Sequence, residues 1–162
     1  MRYLYISFIF FFLSIKNIYA LELSCLFEEV HQNGEVHQGV LIVKDKRFRY
    51  QYFSPNLYTI IHKKNLFFYL ENRDKTKFFK ISKNTDLLES IVDIINDIPD
   101  VKSVYHVRDS IIKVEYSNQE KTIKRVVVLS DQQNMSVYLN ECIDKSIKDI
   151  YFSWSPFWDY KH

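Results

Sequence analysis

The stretch that decides the fold is GVLIVKDKRFRYQYFSP, residues 39–55. Side chains alternate faces along a β-strand. Phe48, Tyr50 and Tyr52 therefore share one face, and Arg47, Arg49 and Gln51 share the other. The basic face is expected to be solvated, whereas the aromatic face must be covered. Two readings are open. The rings are ordinary core beneath a helix, or they line the inner wall of a curved sheet that takes an apolar ligand. Periodicity alone does not separate them.

Working outward, runs rich in Val, Ile, Tyr and Phe recur about every ten residues, divided by polar turn clusters, which predicts an antiparallel meander. Asn33-Gly34 lies between LSCLFEEVHQ and EVHQGVLIV and suits a two-residue turn with positive φ angles. Further strands are expected at 46–54, 56–63, 65–71, 76–82, 101–108, 110–117, 121–130, 134–140 and 148–154, about eleven in all. Turns are placed at Lys63-Lys64, Asn72-Arg73-Asp74, Arg108-Asp109, Ser117-Asn118 and Asp131-Gln132. One segment breaks the period of two. In DLLESIVDIINDIP, Leu87, Leu88, Ile91, Val92, Ile94, Ile95 and Ile98 fall three and four apart, the spacing of one helix face. Asp86 with Glu89 suits its start, and Pro99 bars its continuation. The helix is expected to lie on the concave side of the sheet.

The chain has 162 residues, enough for one sizeable core. Residues 1–20 read as a cleaved secretory signal: Arg2, an apolar run from Leu4 to Leu13, and Ala20 at the cut. A membrane anchor is the alternative, although the run is short for about 30 Å of hydrocarbon. Residues 21–162 are then expected to form a single exported domain. The signal holds Arg2 and Lys16, so removing it leaves 20 basic and 20 acidic residues from the original 22 and 20. That balance argues against a nucleic-acid partner. In an exported chain the two cysteines, Cys25 and Cys142, are candidates for a disulfide. The competing reading takes Glu22-Leu23-Ser24-Cys25 as a lipoprotein cleavage site with Cys25 acylated.

Several weak motifs occur in a telling order. Gly39-x-Leu41-x-Val43-Lys44 is followed by Arg47-Phe48-Arg49-Tyr50 and Pro55. Leu57 to Ile61, Leu66-Phe67-Phe68-Tyr69, Val126-Val127-Val128-Leu129-Ser130-Asp131 and Tyr151-Phe152-Ser153-Trp154-Ser155-Pro156 come later. The series resembles the LolA family of periplasmic lipoprotein carriers over most of residues 21–162. The turn Lys44-Asp45-Lys46 departs from the family's basic, proline-containing turn, and the helix that opens family members has no counterpart here. The resemblance implies a mainly β fold with one or two helices: an unclosed antiparallel barrel of about eleven strands with a helical lid. It implies an apolar cavity for the acyl chains of lipoproteins, taken from an inner-membrane exporter and delivered to an outer-membrane acceptor. The cavity residues expected are Leu41, Val43, Phe48, Tyr50, Tyr52, Ile60, Phe67 and Tyr69 from the sheet, with Leu88, Ile91, Val92 and Ile95 from the lid. A lipid-sensing or protein-binding module on the same fold is the alternative.

Other chemistry finds little footing. His31 and His37 lie diagonally across the first hairpin without a third ligand nearby, and read as surface residues. Glu28 and Glu29 face opposite ways on one strand. No nucleophile elbow, phosphate loop or dinucleotide fingerprint occurs. A monomer with no catalytic residue, metal or cofactor is expected. Trp154 is expected in the core, whereas Phe157 and Trp158 could belong to the core or to an exposed aromatic tail.

Overall fold

The computed structural model describes residues 21–74, 77–83, 85–131 and 134–153. Ten strands are present among them: β1 (Glu22–His31), β2 (Val36–Lys44), β3 (Arg47–Tyr52), β4 (Tyr58–Lys63), β5 (Leu66–Glu71), β6 (Phe78–Ile81), β7 (Val104–Val107), β8 (Ser110–Ser117), β9 (Thr122–Ser130) and β10 (Asn134–Asp144). One helix, α1 (Asp86–Asn96), separates β6 from β7. The strands form one sheet in the order β6-β5-β4-β3-β2-β1-β10-β9-β8-β7. The sheet does not close, so the described residues form an unclosed, barrel-like antiparallel sheet with a single α-helix. The chain starts at the centre, winds out to one edge, crosses by α1 to the other edge and returns. At about 1.5 Å per residue, the 11 residues of α1 span about 16 Å.

The two halves meet where β1 pairs with β10, and a covalent bond joins them there. Cys25 and Cys142 form a disulfide with Cα atoms 4.0 Å apart. The register of β1 on β10 jumps between Ser24↔Ile143 and Leu26↔Asn140, so Glu141 and Cys142 together oppose Cys25. Glu141 has φ 49°, the left-handed conformation that often accommodates such an extra residue. The expected pairing of the two cysteines is thus present, and a bulge makes it geometrically possible.

Several expectations are corrected. Among the described residues the strands number ten against the about eleven expected, because residues 148–153 of the last expected strand hold a short 3-10 helix, Asp149–Phe152. The first hairpin does not turn on two positive φ angles. Of Asn33 and Gly34 only Gly34 has one (83°), and the Gly34 N–H donates to the His31 carbonyl at 2.9 Å, closing a type-I-like turn. The two-residue turn with both φ positive is Lys64-Asn65, one residue beyond the expected Lys63-Lys64. The N-cap of α1 is Thr85, whose hydroxyl donates to Glu89 Oε1 at 2.6 Å, and Asp86 is the first helical residue. Trp154, Phe157, Trp158 and residues 1–20 lie outside the described residues.

The largest correction concerns the basic face of β3. Arg49 is 2 % exposed and Gln51 is 8 % exposed, not solvated. The segment 145–153 runs across the convex side of the sheet and covers them. Ile147 and Phe152 pack with Val40 and Ile42 in a small core of their own. Polar atoms are matched along this strap. Arg49 Nε donates to Gln51 Oε1 at 2.8 Å, and its Nη1 donates to the Tyr151 carbonyl at 3.2 Å. Lys44 Nζ donates to the Ile147 carbonyl at 2.7 Å and pairs with Glu22 and Asp149. Arg47 pairs with Asp149 at 3.1 Å and lies over the Phe152 ring at 4.8 Å. These partners lower the Glu22 carboxyl, chiefly through the Ile147 N–H, and the Asp149 carboxyl, chiefly through Lys44. A buried guanidinium is tolerated only when its donors find partners, and Arg49 finds them in Gln51 and in the strap's Tyr151 carbonyl.

Candidate functional site

Residues directly opposite across an antiparallel ladder share a face. The pairs Leu41↔Tyr50, Tyr50↔Ile60 and Ile60↔Tyr69 carry one face across four strands, and Val43↔Phe48↔His62↔Phe67 carries the next row. Continued through Cys25↔Leu41 and Phe27↔Leu139, the same face spans the sheet's centre. It is the concave face, and α1 packs onto it. A cavity of about 320 Å³ lies between them, at the lower end of the range for small-molecule sites.

The twelve residues expected to line an apolar hollow divide into two sets. Leu41, Phe48, Tyr50, Tyr52, Ile60, Leu88 and Ile91 border the cavity. Val43, Phe67 and Ile95 are buried in a compact cluster with Phe48, and Val92 packs against it. Tyr69 stands on the same face, 4.9 Å ring to ring from Tyr58, and does not border the cavity. Of the aromatic stripe, Tyr50 and Tyr52 border the cavity, and Phe48 both borders it and packs in that cluster. The far wall was not anticipated from sequence. It comes from Ile112 on β8, Val126 and Val128 on β9, and Met135, Val137 and Leu139 on β10. Their alternation is visible in the chain, but placing them opposite β3 requires the β1–β10 pairing.

α1 is anchored unevenly. Ile94 and Ile95, near its C-terminal end, are buried, whereas Leu87, Leu88 and Ile91 are half-buried over the cavity. Its N-terminal end is tied by an ion pair, Arg108 Nη2 to Asp86 Oδ1 at 3.0 Å, with Arg108 well exposed. Beyond its C-terminal end, the Tyr105 hydroxyl donates to Asp97 Oδ2 at 2.8 Å.

One end of the cavity is polar. Glu29 is 4 % exposed, and its Oε2 accepts from the hydroxyls of Tyr50 and Tyr52, both at 2.8 Å. Its Oε1 lies 2.7 Å from His31 Nε2. Burial, followed by the Glu29 charge, pushes the Tyr50 and Tyr52 phenols well above their ordinary value. Both phenols thus remain donors to the carboxylate. His37 stands edge-on to His31 at 5.2 Å and to Tyr52 at 5.8 Å, and its Nε2 is 3.2 Å from Glu35 Oε1. The two histidines, expected on the surface, instead occupy the concave face with side chains about one-fifth exposed. The sequence signal was available: Glu29, His31 and His37 share the parity of Phe27 and Leu41.

Gly39 explains how the aromatic floor fits. A Cβ there would collide with the Gln51 carbonyl and the Phe27 ring. The missing side chain lets Phe27 lie against the strand and stack on Tyr50 at 3.9 Å between centroids. Among the described residues, no three His, Cys, Asp or Glu side chains converge as a metal site. The same residues contain no helix long and apolar enough to cross a membrane. Comparison of the chain with protein-family models and with curated proteins returns no match.

Proposed function

We propose that this protein is a periplasmic carrier that shields the acyl chains of lipoproteins in its concave cavity and ferries them from inner to outer membrane. The observation that carries the reading is the cavity itself: about 320 Å³, walled mainly by aliphatic and aromatic side chains, under a helix whose N-terminal half is only half-buried. At the roughly 30 Å³ that one water occupies in the liquid, this volume takes about ten carbon-sized groups. Each methylene moved there from water contributes about 0.8 kcal/mol. The full cavity thus offers on the order of 8 kcal/mol before ordering costs are subtracted. A carrier must also release its cargo, and a modestly held lid suits that better than a sealed core.

The test is native mass spectrometry of the full chain expressed in a bacterial host. The expected result is co-purified acylated protein that is lost in an Ile91→Glu variant, Ile91 being a half-buried lid residue that borders the cavity. Free lipid in its place favours a lipid sensor on the same fold. A protein that arrives unliganded and binds no fatty-acyl probe refutes the proposal.

A further inference from the structure

We propose that the ligand of this cavity is an amphiphile whose polar end carries an ammonium group, seated against Glu29 with its tail running toward Phe48. The inference rests on the acyl-binding reading above and names the chemistry of the other end of that ligand. The cavity is polar at one end only. Phe48 pairs with Val43, which pairs with Leu23, and Glu29 lies six residues farther along β1. At about 3.3 Å per residue the two ends are about 20 Å apart.

The charge at that end has one sign. The residues bordering the cavity include Glu29 and no Lys or Arg. Its immediate partners are two phenols and an imidazole. Glu35, more than half exposed, adds a second carboxylate beside His37. The buried Glu29 thus lies within reach of a solvent-exposed rim at Glu35, where the outer part of a head group would remain as a tail enters. Aromatic faces surround the same point. Tyr52 packs edge-on against Phe27, Tyr50, Tyr58 and His37 at 5.1 to 5.8 Å. A carboxylate within an aromatic cluster attracts an ammonium ion through both its charge and the ring quadrupoles. It repels a fatty acid's carboxylate or a bare phosphate, and it gives an alcohol only a hydrogen bond.

The test compares three ligands of one tail length on the full-length protein by calorimetry, at pH 8 and below micelle-forming concentrations. Dodecyltrimethylammonium is expected to bind about tenfold tighter than dodecanol, with dodecanoate weakest. In Glu29→Gln the ammonium-to-alcohol ratio falls toward about one. Dodecanoate binding as well as the ammonium, in the unaltered protein, overturns the inference while leaving the cavity reading intact. If none of the three binds, the acyl-binding reading fails first. The ligand comparison needs no variant to fold. A lysophosphatidylethanolamine and an S-hexadecyl-cysteinyl peptide, a thioether with a free α-amine, then separate a lipid from a protein source. Either one binding better than its N-acetylated form supports the inference and names the source. Equal binding of amine and N-acetyl forms in both overturns it.

Discussion

Chain length is the most direct probe of a cavity with a stated volume. The perturbation is a series of n-alkanols from hexanol to tetradecanol, which carry no charge and so isolate the tail. The 320 Å³ cavity admits about ten carbon-sized groups. Each added methylene contributes about 0.8 kcal/mol, and tenfold in Kd is 1.4 kcal/mol, so Kd should fall about fourfold per carbon. Near decanol the cavity is full, and further carbons must displace Leu87, Leu88 and Ile91 or remain in water. The slope should then flatten. Titration by displacement of a fluorescent fatty-acyl probe reads both the slope and the break. A change below about twofold per carbon would mean that the tail is not leaving water. A fourfold slope continuing unbroken to tetradecanol would mean that the volume is wrong. Either result refutes the reasoning.

Three further outcomes follow from the structure. The Cys25–Cys142 bond closes a loop of 117 residues, so replacing both cysteines with alanine should lower unfolding free energy by up to about 5 kcal/mol, read from urea midpoints. An unchanged midpoint contradicts the stapling role. Gly39→Ala should cost about 1–3 kcal/mol through the clash with Phe27 and the Gln51 carbonyl, and should disturb the near-ultraviolet dichroism of the aromatic floor. A neutral result means the ring is not seated there. Stability should also fall in alkali. Burial raises the Tyr50, Tyr52 and Tyr58 phenols in the folded state, so the unfolded chain, with phenols near 10, loses protons first. Stability is complete below pH 10 and should decline above it by about 1.4 kcal/mol per pH unit for each such phenol. A flat stability profile from pH 9 to about 11.5 would contradict their burial.

Much of this architecture is legible from local pattern. Alternation leaves open which parity of 39–44 and 65–71 faces inward, and the registers Leu41↔Tyr50, Val43↔Phe48, Ile60↔Tyr69 and His62↔Phe67 decide it. The helix declares itself by its threefold and fourfold spacing. What alternation does not carry is what covers a face. Arg49 and Gln51 read as solvated because residues 145–153, which bury them, have no period of two and cross the sheet rather than joining it. Glu29 reads as an ordinary strand acid because its partners, Tyr50 and Tyr52, lie on a different strand, 21 and 23 residues away. The far wall likewise depends on one non-local pairing, β1 on β10, whose bulge at Glu141 shifts parity between Asn140 and Ile143.

The interleaved rings and basic residues of β3 now have separate physical roles. On the convex side, Arg47 and Arg49 bind the strap while Val40 and Ile42 pack against Ile147 and Phe152, so the wall is braced from behind. The disulfide holds the same wall at its central seam. On the concave side, the floor of rings faces a helix buried at Ile94 and Ile95 and tied at its other end by an exposed Arg108–Asp86 pair. Exposed ion pairs contribute at most about 1 kcal/mol, far less than two buried isoleucines. Of the elements around the cavity, the N-terminal half of α1 is therefore the least costly to displace. On the proposed carrier reading, room for a ligand would be made there, by lifting Leu87, Leu88 and Ile91, and not by spreading the sheet.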